Sequence, residues 1–153
     1  MVKEAHIPDN LDKRIIRELQ QNSRQSYREI ARKLNVSTAT IMHRVNYLEQ
    51  QKIIQKYSAK IDTKQFGYDV KVIIDLRVSK GKLLQVEKKI AMHPNVIAVY
   101  DTTGNFDIII IAEFKSTKQM DNFLKLIQTY DFVERTNTKL VLHTMKEDGI
   151  EVV

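Results

Sequence analysis

The hydrophobic periodicity of this chain changes near Val70, and that change limits the folds that it can adopt. Before Val70, apolar residues recur every three or four positions, as on one face of an amphipathic helix. From Val70 to Val78 they alternate with polar residues, as in a strand that is buried on one face. A chain of 153 residues is long enough for one medium domain or two small ones. We therefore predict two parts with different secondary structure.

The part before Val70 contains three short helices. Each apolar-periodic run begins at a residue suited to cap a helix: Asp9 or Asn10, Ser26 in a capping box with Glu29, and Ser37. The second and third runs are separated by a short turn at Asn35, a residue type that accepts left-handed backbone. Ala31 lies where these two helices come closest, and its small side chain permits close contact. This arrangement predicts a helix-turn-helix unit.

The outward face of the third helix has an unusual composition. With Ile41, Val45 and Leu48 directed inward, the opposite face carries hydroxyl, amide, imidazole and methyl groups in place of the usual Glu and Lys. Such groups suit the edges of base pairs in a major groove. The predicted base-reading residues are Thr38, Ala39, Thr40, His43, Asn46 and Tyr47.

The positive charge of the chain is concentrated in the same region. Residues 1–60 contain 12 Lys and Arg against 6 Asp and Glu, giving +6, whereas residues 61–153 contain 13 of each and are neutral. A phosphate polymer attracts such a localised charge. The predicted phosphate contacts are Arg24, Arg28, Arg32, Lys33 and Arg44. We expect double-stranded DNA as a partner.

Composition excludes several other classes of protein. The chain has no cysteine, which removes disulfides, thiolate nucleophiles and cysteine-based metal sites. It has no apolar run of about 20 residues and no signal-peptide core, so we expect no membrane partner and a cytoplasmic location. Neither a Gly-rich phosphate loop nor an HExxH motif is present. We predict no metal, no catalytic residues and no cofactor.

The second part of the chain reads as alternating strands and helices in the order βαββαβ. The predicted strands are Val70–Val78, Val96–Thr102, Asp107–Phe114 and Val133–Leu142, with helices after Gly81 and after a capping box of Ser116 and Gln119. This order is typical of a ferredoxin-like domain, in which two helices cover one face of an antiparallel sheet. The third strand is apolar on both faces, so we expect a second copy of the sheet to cover the other face.

The resulting fold class is α+β. A helix-turn-helix, winged-helix-like domain (1–60) is joined through an extended segment and a hinge (61–68) to a ferredoxin-like domain for effector binding and oligomerisation (69–153).

The ordered motifs of both parts resemble the Lrp/AsnC (feast/famine) family of transcriptional regulators. The similar runs are LDxxIIxxLxxNxR from Leu11, EIAxxLxVS from Glu29, RVxxLE from Arg44 and IIxxYxAxID from Ile53. Thr103-Gly104-Asn105-Phe106-Asp107 is similar to a turn of that family's ligand-sensing domain. The resemblance implies a sequence-specific DNA-binding regulator, homodimers that often assemble into octamers, and an amino acid as effector between dimers.

The resemblance also places the effector pocket at the turn between the second and third strands. Gly104 permits close backbone approach, and the N–H groups of the turn suit a carboxylate. Asp107 suits an ammonium group, and hydroxyls two residues apart lie on one face of the fourth strand. The predicted effector-binding residues are Tyr100, Thr103, Gly104, Asn105, Phe106, Asp107, Thr136 and Thr138. The same turn is also ordinary hairpin chemistry.

Two other classes of protein are alternatives to a regulator. Some tetrapyrrole (siroheme-type) decarboxylases resemble this family, with a degenerate N-terminal domain and catalytic His, Arg and Tyr side chains in the second. In this chain the second part holds only His93 and His143, and the N-terminal part keeps its charge and polar face. A sensor that binds only protein partners would not explain that charge. We therefore favour a regulator over an enzyme.

Overall fold

The computed structural model of the chain describes residues 7–79 and 81–152, which form two compact units. The helical unit comprises residues 7–60 together with 147–152, and the sheet unit comprises residues 61–146. This division differs from the predicted limits at one end of the chain. Residues 147–152 lie within the predicted ferredoxin-like domain but pack with the helices, and the backbone of Ile150 and Val152 is hydrogen-bonded to side chains of the first helix.

Three helices make up the helical unit, and each begins at a predicted capping residue. They are α1 (Asn10–Gln21), α2 (Tyr27–Leu34) and α3 (Thr38–Gln50). Ser26 and Glu29 form the expected capping box, and the Ser37 side chain accepts from the Thr40 backbone. The cap of α1 is Asp9, and it forms a second capping box with Asp12 that the sequence reading did not include. These bonds satisfy N–H groups that a helix leaves unpaired at its start.

The turn between α2 and α3 takes the predicted left-handed form. Asn35 has φ 56° and ψ 49°, and the Val36 backbone N–H donates to the Ala31 carbonyl at 3.0 Å. Ala31 of α2 is buried where the three helices meet, beside apolar residues from each of them. The shared core consists of Ile15, Leu19, Ile30, Ala31, Leu34, Ile41 and Val45. This core fixes the direction of α3.

The sheet unit has the predicted βαββαβ order. Its strands are β1 (Val70–Val78), β2 (Val96–Asp101), β3 (Ile108–Phe114) and β4 (Val133–Leu140), and its helices are α4 (Leu83–Ala91) and α5 (Thr117–Gln128). The strands lie in the order β2-β3-β1-β4, with every neighbouring pair antiparallel. A short 3-10 turn (Thr63–Phe66) precedes the sheet and ends at Gly67, whose φ is 79°.

One face of the sheet forms the core of this unit. Alternate residues of β1 and β3 pack there against apolar residues of α4 and α5, and Ile74, Leu76, Ile108 and Ile110 are fully buried. Within the described residues, no helix has the length and apolar character needed to cross a bilayer.

The expected capping box at the start of α5 forms only in part. The Ser116 hydroxyl accepts from the Gln119 backbone N–H at 3.2 Å, as predicted. The Gln119 side chain, however, accepts from the N–H of Lys115 at 3.1 Å and not from that of Ser116. The reciprocal half of the box is therefore absent, because the Gln119 side chain is bonded one residue before the cap.

The opposite face of the sheet is only partly covered within one chain. Ile109 and Ile111 of β3 are half-buried, whereas Ile108 and Ile110 are fully buried. Register pairs Ile111 with Ile73 of β1, and Ile109 with Tyr100 of β2, so these side chains share this face. We call Ile73, Ile109, Ile111 and Tyr100 the apolar strip. Burial of both faces of β3, as the sequence predicts, needs a further covering layer.

Candidate DNA-reading helix and effector turn

The outward face of α3 is built as its periodicity predicts. Ile41, Val45 and Leu48 are fully buried and hold the helix against its neighbours. The predicted base-reading residues lie on the other side: Thr38, Ala39, His43 and Asn46 are exposed, and Thr40 and Tyr47 are half-buried. A helix anchored on one face and polar on the other can enter a major groove without unpacking its own core.

Two hydrogen bonds modify this face. The Thr40 hydroxyl lies 2.8 Å from the Ser37 hydroxyl, so part of its hydrogen-bonding capacity serves the helix cap. At the other end, Glu49 is exposed and accepts from the Tyr57 hydroxyl at 2.8 Å. Partial burial and then this carboxylate raise the pKa of the Tyr57 phenol. The bond keeps the one acidic side chain of α3 directed toward the segment that follows the helix.

The predicted phosphate-binding cations divide into two groups. Arg24, Arg28 and Arg32 are exposed, and none of them has an ion pair within 4.0 Å among the described residues. They precede α2 or lie along it, next in the chain to α3. Exposed arginines with no acidic partner can turn to a phosphate without breaking an existing bond.

Lys33 and Arg44 form the second group, and both are committed within the protein. Lys33 pairs with Glu18 at 2.6 Å, and this bond lowers the pKa of the Glu18 carboxyl. Arg44 pairs with Asp9 at 2.7 Å and with Asp12 at 3.2 Å. The structure therefore gives these two cations a role in joining helices, which the sequence reading had assigned to phosphate. Partners 15 to 35 residues apart leave no local sequence signal.

The turn between β2 and β3 is exposed at its tip. Thr103, Gly104 and Asn105 are exposed, and Gly104 has φ 118°, which L side chains rarely adopt. The base of the turn is closed by two bonds: the Thr102 N–H donates to the Asp107 carbonyl at 2.9 Å, and the Thr102 hydroxyl donates to the Phe106 carbonyl at 3.1 Å. The tip thus projects from an ordered base.

Asp107 has a structural partner that the sequence reading did not anticipate. Its carboxylate accepts from the Val78 N–H at 2.8 Å, and its own N–H donates to the Leu76 carbonyl at 2.8 Å. These bonds join the start of β3 to the end of β1. One carboxylate oxygen of Asp107 is therefore already used by the fold.

The remaining predicted effector residues do not share one face of the sheet. Thr136 and Thr138 pair with Leu76 and Ile74, on the helix-covered face, whereas Tyr100 belongs to the apolar strip on the other face. The strands β2 and β4 are also the two edges of the sheet. A single chain therefore does not bring Tyr100 and the two threonines into one pocket.

Arg135 of β4 also lies near the turn, although it is not among the predicted effector-binding residues. Its guanidinium lies 5.8 Å from the centre of the Phe106 ring, and register places it opposite Arg77. Side chains alternate between the two faces of a strand, so Arg135 lies on the face of β4 opposite to that of Thr136 and Thr138. This alternation is visible in the sequence.

Metal-binding side chains and His93 bear on the enzyme alternative. Among residues 7–79 and 81–152 there is no group of three or more His, Cys, Asp or Glu side chains able to hold a metal. His93 packs against Phe123 with tilted rings whose centres lie 4.5 Å apart, its Nδ1 accepts from the Asn95 N–H, and burial lowers its pKa. His93 thus packs against α5, and its Nδ1 is engaged by the backbone of Asn95.

Comparisons with known proteins agree with this architecture. Residues 9–49 match the AsnC-type helix-turn-helix domain, and residues 71–150 match the Lrp/AsnC ligand binding domain. An HTH-type transcriptional regulator of Pyrococcus abyssi is 44% identical over 140 residues, covering 92% of this chain and 95% of that protein.

Solved structures share this fold. The AsnC protein of E. coli superimposes with a TM-score of 0.89 at 32% identity, covering 95% of this chain and 99% of that one. A transcriptional regulator of Neisseria meningitidis, solved as a complex with L-Met, has the same fold, with a TM-score of 0.84 at 21% identity over 92% of this chain and 93% of that one. Together with the anchored, outward-polar α3, these matches show that the chain is not an enzyme and belongs to the Lrp/AsnC family of DNA-binding transcriptional regulators.

Proposed function

We propose that this regulator reads a specific DNA sequence with α3 and changes its DNA binding when the sheet unit binds an amino acid. The observation that carries the DNA-reading part is the contrast between the two sides of α3. Its inner side is fully buried, and its outer side presents Thr38, His43 and Asn46 to solvent. Amide, hydroxyl and imidazole groups are suited to the edges of base pairs. Because the target is DNA, we also infer a cytoplasmic location.

Phosphate contact is assigned to Arg24, Arg28 and Arg32. Their side chains are exposed and have no acidic partner within 4.0 Å in the part of the chain that the structure describes. Lys33 and Arg44 would first have to leave Glu18 and Asp9. Contacts to phosphate fix the position of the protein on the duplex, and contacts to bases determine which sequence is preferred.

The working form is at least a homodimer, assembled through the apolar strip of the sheet unit. Ile73, Ile109 and Ile111 are half-buried in a single chain, although their neighbours on the helix-covered face are fully buried. A second copy would remove these side chains from water, at about 25 cal/mol for each square ångström of apolar surface. Two copies would also supply two DNA-reading helices with two-fold symmetry, which suits a pseudo-palindromic operator.

The effector is an amino acid bound at the tip of the turn between β2 and β3. Exposed backbone N–H groups at Thr103–Asn105 suit a carboxylate, and Asp107 supplies negative charge for an ammonium group. Because Thr136 and Thr138 lie on the other face from Tyr100, a complete pocket needs residues of a second copy. The L-Met complex of the Neisseria relative supports a zwitterionic ligand for this fold.

Two experiments test these assignments. Footprinting on the region upstream of the protein's own coding sequence should show a protected, roughly symmetric site, and its extent should change with one amino acid of a panel. A thermal-shift screen should identify that amino acid, since a ligand at 100 times its Kd stabilises the folded state by about 2.7 kcal/mol. If no amino acid changes melting, assembly size or the footprint, the sensing assignment fails and only DNA binding remains.

A further inference from the structure

The residues 147–152, which we call the acidic segment, are bound to α1 through backbone hydrogen bonds. The side-chain amide of Gln20 donates to the Ile150 carbonyl at 2.9 Å and accepts from the Val152 N–H at 3.0 Å. One glutamine thus pairs with two backbone groups two residues apart, as a neighbouring β-strand would. This mode of binding holds the backbone whatever side chains the segment carries.

A second set of contacts fixes the end of the acidic segment. The Arg17 guanidinium donates to the Val152 carbonyl at 3.3 Å and lies 4.0 Å from the Glu151 carboxylate. Val152 lines a cavity of about 520 Å³ together with apolar side chains of α1 and of the residues that follow α3, namely Ile16, Leu19, Ile53, Ile54 and Tyr57. The segment is therefore held by backbone, charge and apolar contacts together.

The start of the acidic segment is held by another cation of the helical unit. The Lys60 ammonium lies 2.5 Å from the Asp148 carboxylate and donates to the Glu147 carbonyl at 2.7 Å. Arg17 and Lys60 are 43 residues apart in the sequence, yet each meets the same short segment. Both cations belong to the region that carries the excess positive charge.

This placement changes the charge of the DNA-binding unit. Residues 1–60 have a net charge of +6, and the segment adds three acids, Glu147, Asp148 and Glu151, with no Lys or Arg. The helical unit therefore has a net charge of 6 − 3 = +3, and the remainder of the chain also has +3. Half of the positive charge that the sequence concentrates in the DNA-binding part is neutralised in the folded unit.

We propose that the acidic segment competes with DNA phosphates for the helical unit, occupying Arg17 and Lys60 and halving the charge that attracts the duplex. Binding to DNA of any sequence depends on the number of cations that meet phosphates. The segment contacts α1 and Lys60 and leaves the outer face of α3 open, so its acids lower general affinity without blocking base reading. The proposed effect is a lower affinity for DNA of every sequence.

The test compares three full-length variants with the parent protein in gel shifts on random duplex DNA over a range of salt concentrations. E147Q/D148N/E151Q removes the charges but keeps the backbone atoms that bond to Gln20. D69N/D101N/D131N makes the same change in net charge at exposed positions of the sheet unit, and serves as the matched control. Gln20→Ala releases the segment without changing any charge.

The proposal predicts that E147Q/D148N/E151Q binds random DNA roughly three- to tenfold more tightly at about 0.1 M salt. Its plot of log affinity against log salt should be steeper by about 1 to 2 for each copy, as Arg17 and Lys60 gain phosphate contacts. Gln20→Ala should also bind random DNA more tightly than the parent protein does. The control D69N/D101N/D131N should have nearly the affinity and salt dependence of the parent.

Three results would overturn the proposal. One is a salt dependence of E147Q/D148N/E151Q equal to that of the control, which would mean that only net charge matters. Another is Gln20→Ala behaving like the parent while E147Q/D148N/E151Q binds more tightly, which would show that seating of the segment has no effect. The third is absence of DNA binding by the parent protein. That result would also contradict the proposed reading of DNA, so it can be distinguished from a failure of the acidic-segment proposal alone.

Discussion

The guanidinium of Arg44, on the DNA-reading helix, lies 2.7 Å from the carboxylate of Asp9, which caps α1. The same guanidinium lies 3.2 Å from Asp12, whose side chain is fully buried. Arg44 thus joins α3 to the start of α1, and its pKa is raised chiefly by the bond to Asp9. The orientation of the reading helix depends on this ion pair as well as on the apolar core.

Replacing Arg44 should therefore weaken the helical unit. Arg44→Ala removes a cation from a fully buried carboxylate, but Arg44 itself is partly exposed, so we expect a loss of about 1–2 kcal/mol in the free energy of unfolding. Arg32→Ala is the matched control, because it removes an exposed arginine that has no ion pair among the described residues. Thermal and urea unfolding of both variants measures the difference, and equal stability would contradict the role given to Arg44.

Base contacts and phosphate contacts should be separable by mutation. Asn46→Ala should cost roughly 1–3 kcal/mol on the preferred site and relax discrimination there, because an amide that pairs with a base edge is lost. Arg32→Ala should weaken binding to all sequences alike and lower the salt dependence by about 0.9 per copy. Gel shifts on specific and random duplexes measure both effects. If both variants lost specific and random binding in equal proportion, α3 would not be the reading element.

Acid should loosen the helical unit through carboxylates at the helix ends. The Asp12 N–H, followed by Arg44, lowers the pKa of Asp9, and Lys33 lowers that of Glu18. A carboxyl whose pKa is lower in the folded state contributes stability above its unfolded pKa, and that contribution is lost as the pH falls through the folded value. Stability should therefore decline from about pH 4.5, the ordinary glutamate value, downward.

Circular dichroism at a series of pH values, with urea near the unfolding midpoint, measures this decline. Asp9→Asn keeps an acceptor for the helix cap but cannot titrate, so its acid transition should be shallower than that of the parent. An identical transition in the two proteins would show that Asp9 does not contribute to the pH dependence.

Asp107 should have two separable roles. Asp107→Ala removes the acceptor for the Val78 N–H, so the sheet unit should lose about 1–3 kcal/mol of stability. Asp107→Asn keeps an oxygen acceptor at that position but lacks the charge proposed to meet an ammonium group. We expect Asp107→Asn to retain most of the stability and normal DNA binding without ligand, yet to lose the response to amino acids. Thermal shift with and without ligand separates the two effects, and a full response in Asp107→Asn would exclude it as the ammonium partner.

Local sequence signals predicted much of the fold, because they act within a few residues. Ser26 with Glu29 and the left-handed Asn35 are set by neighbours in the chain, and alternation in β1 follows from the pleat of a strand. Strand ends differed by one or two residues: β2 ends at Asp101 and β4 at Leu140.

Contacts between distant residues were the part that sequence did not predict. Asp107 and Val78 lie 29 residues apart, and Gln20 and Ile150 lie 130 apart. Their pairing depends on how the elements pack, and carboxylates and amides carry no mark of a particular distant partner. For the same reason no sequence signal indicated the contact between Arg135 of β4 and the Phe106 ring, whose centre lies 5.8 Å from the guanidinium.

The most direct test of the central claim is the salt dependence of binding to the footprinted site upstream of the protein's own coding sequence, measured beside a random duplex. Arg24, Arg28 and Arg32 have no ion pair within 4.0 Å among the described residues. In two copies they would make about six phosphate contacts, so log affinity should fall with log salt with a slope of about −5. The footprinted site should remain tighter than the random duplex throughout the range. A slope near zero, or equal affinity for both duplexes at every salt concentration, would contradict a regulator that reads DNA through α3.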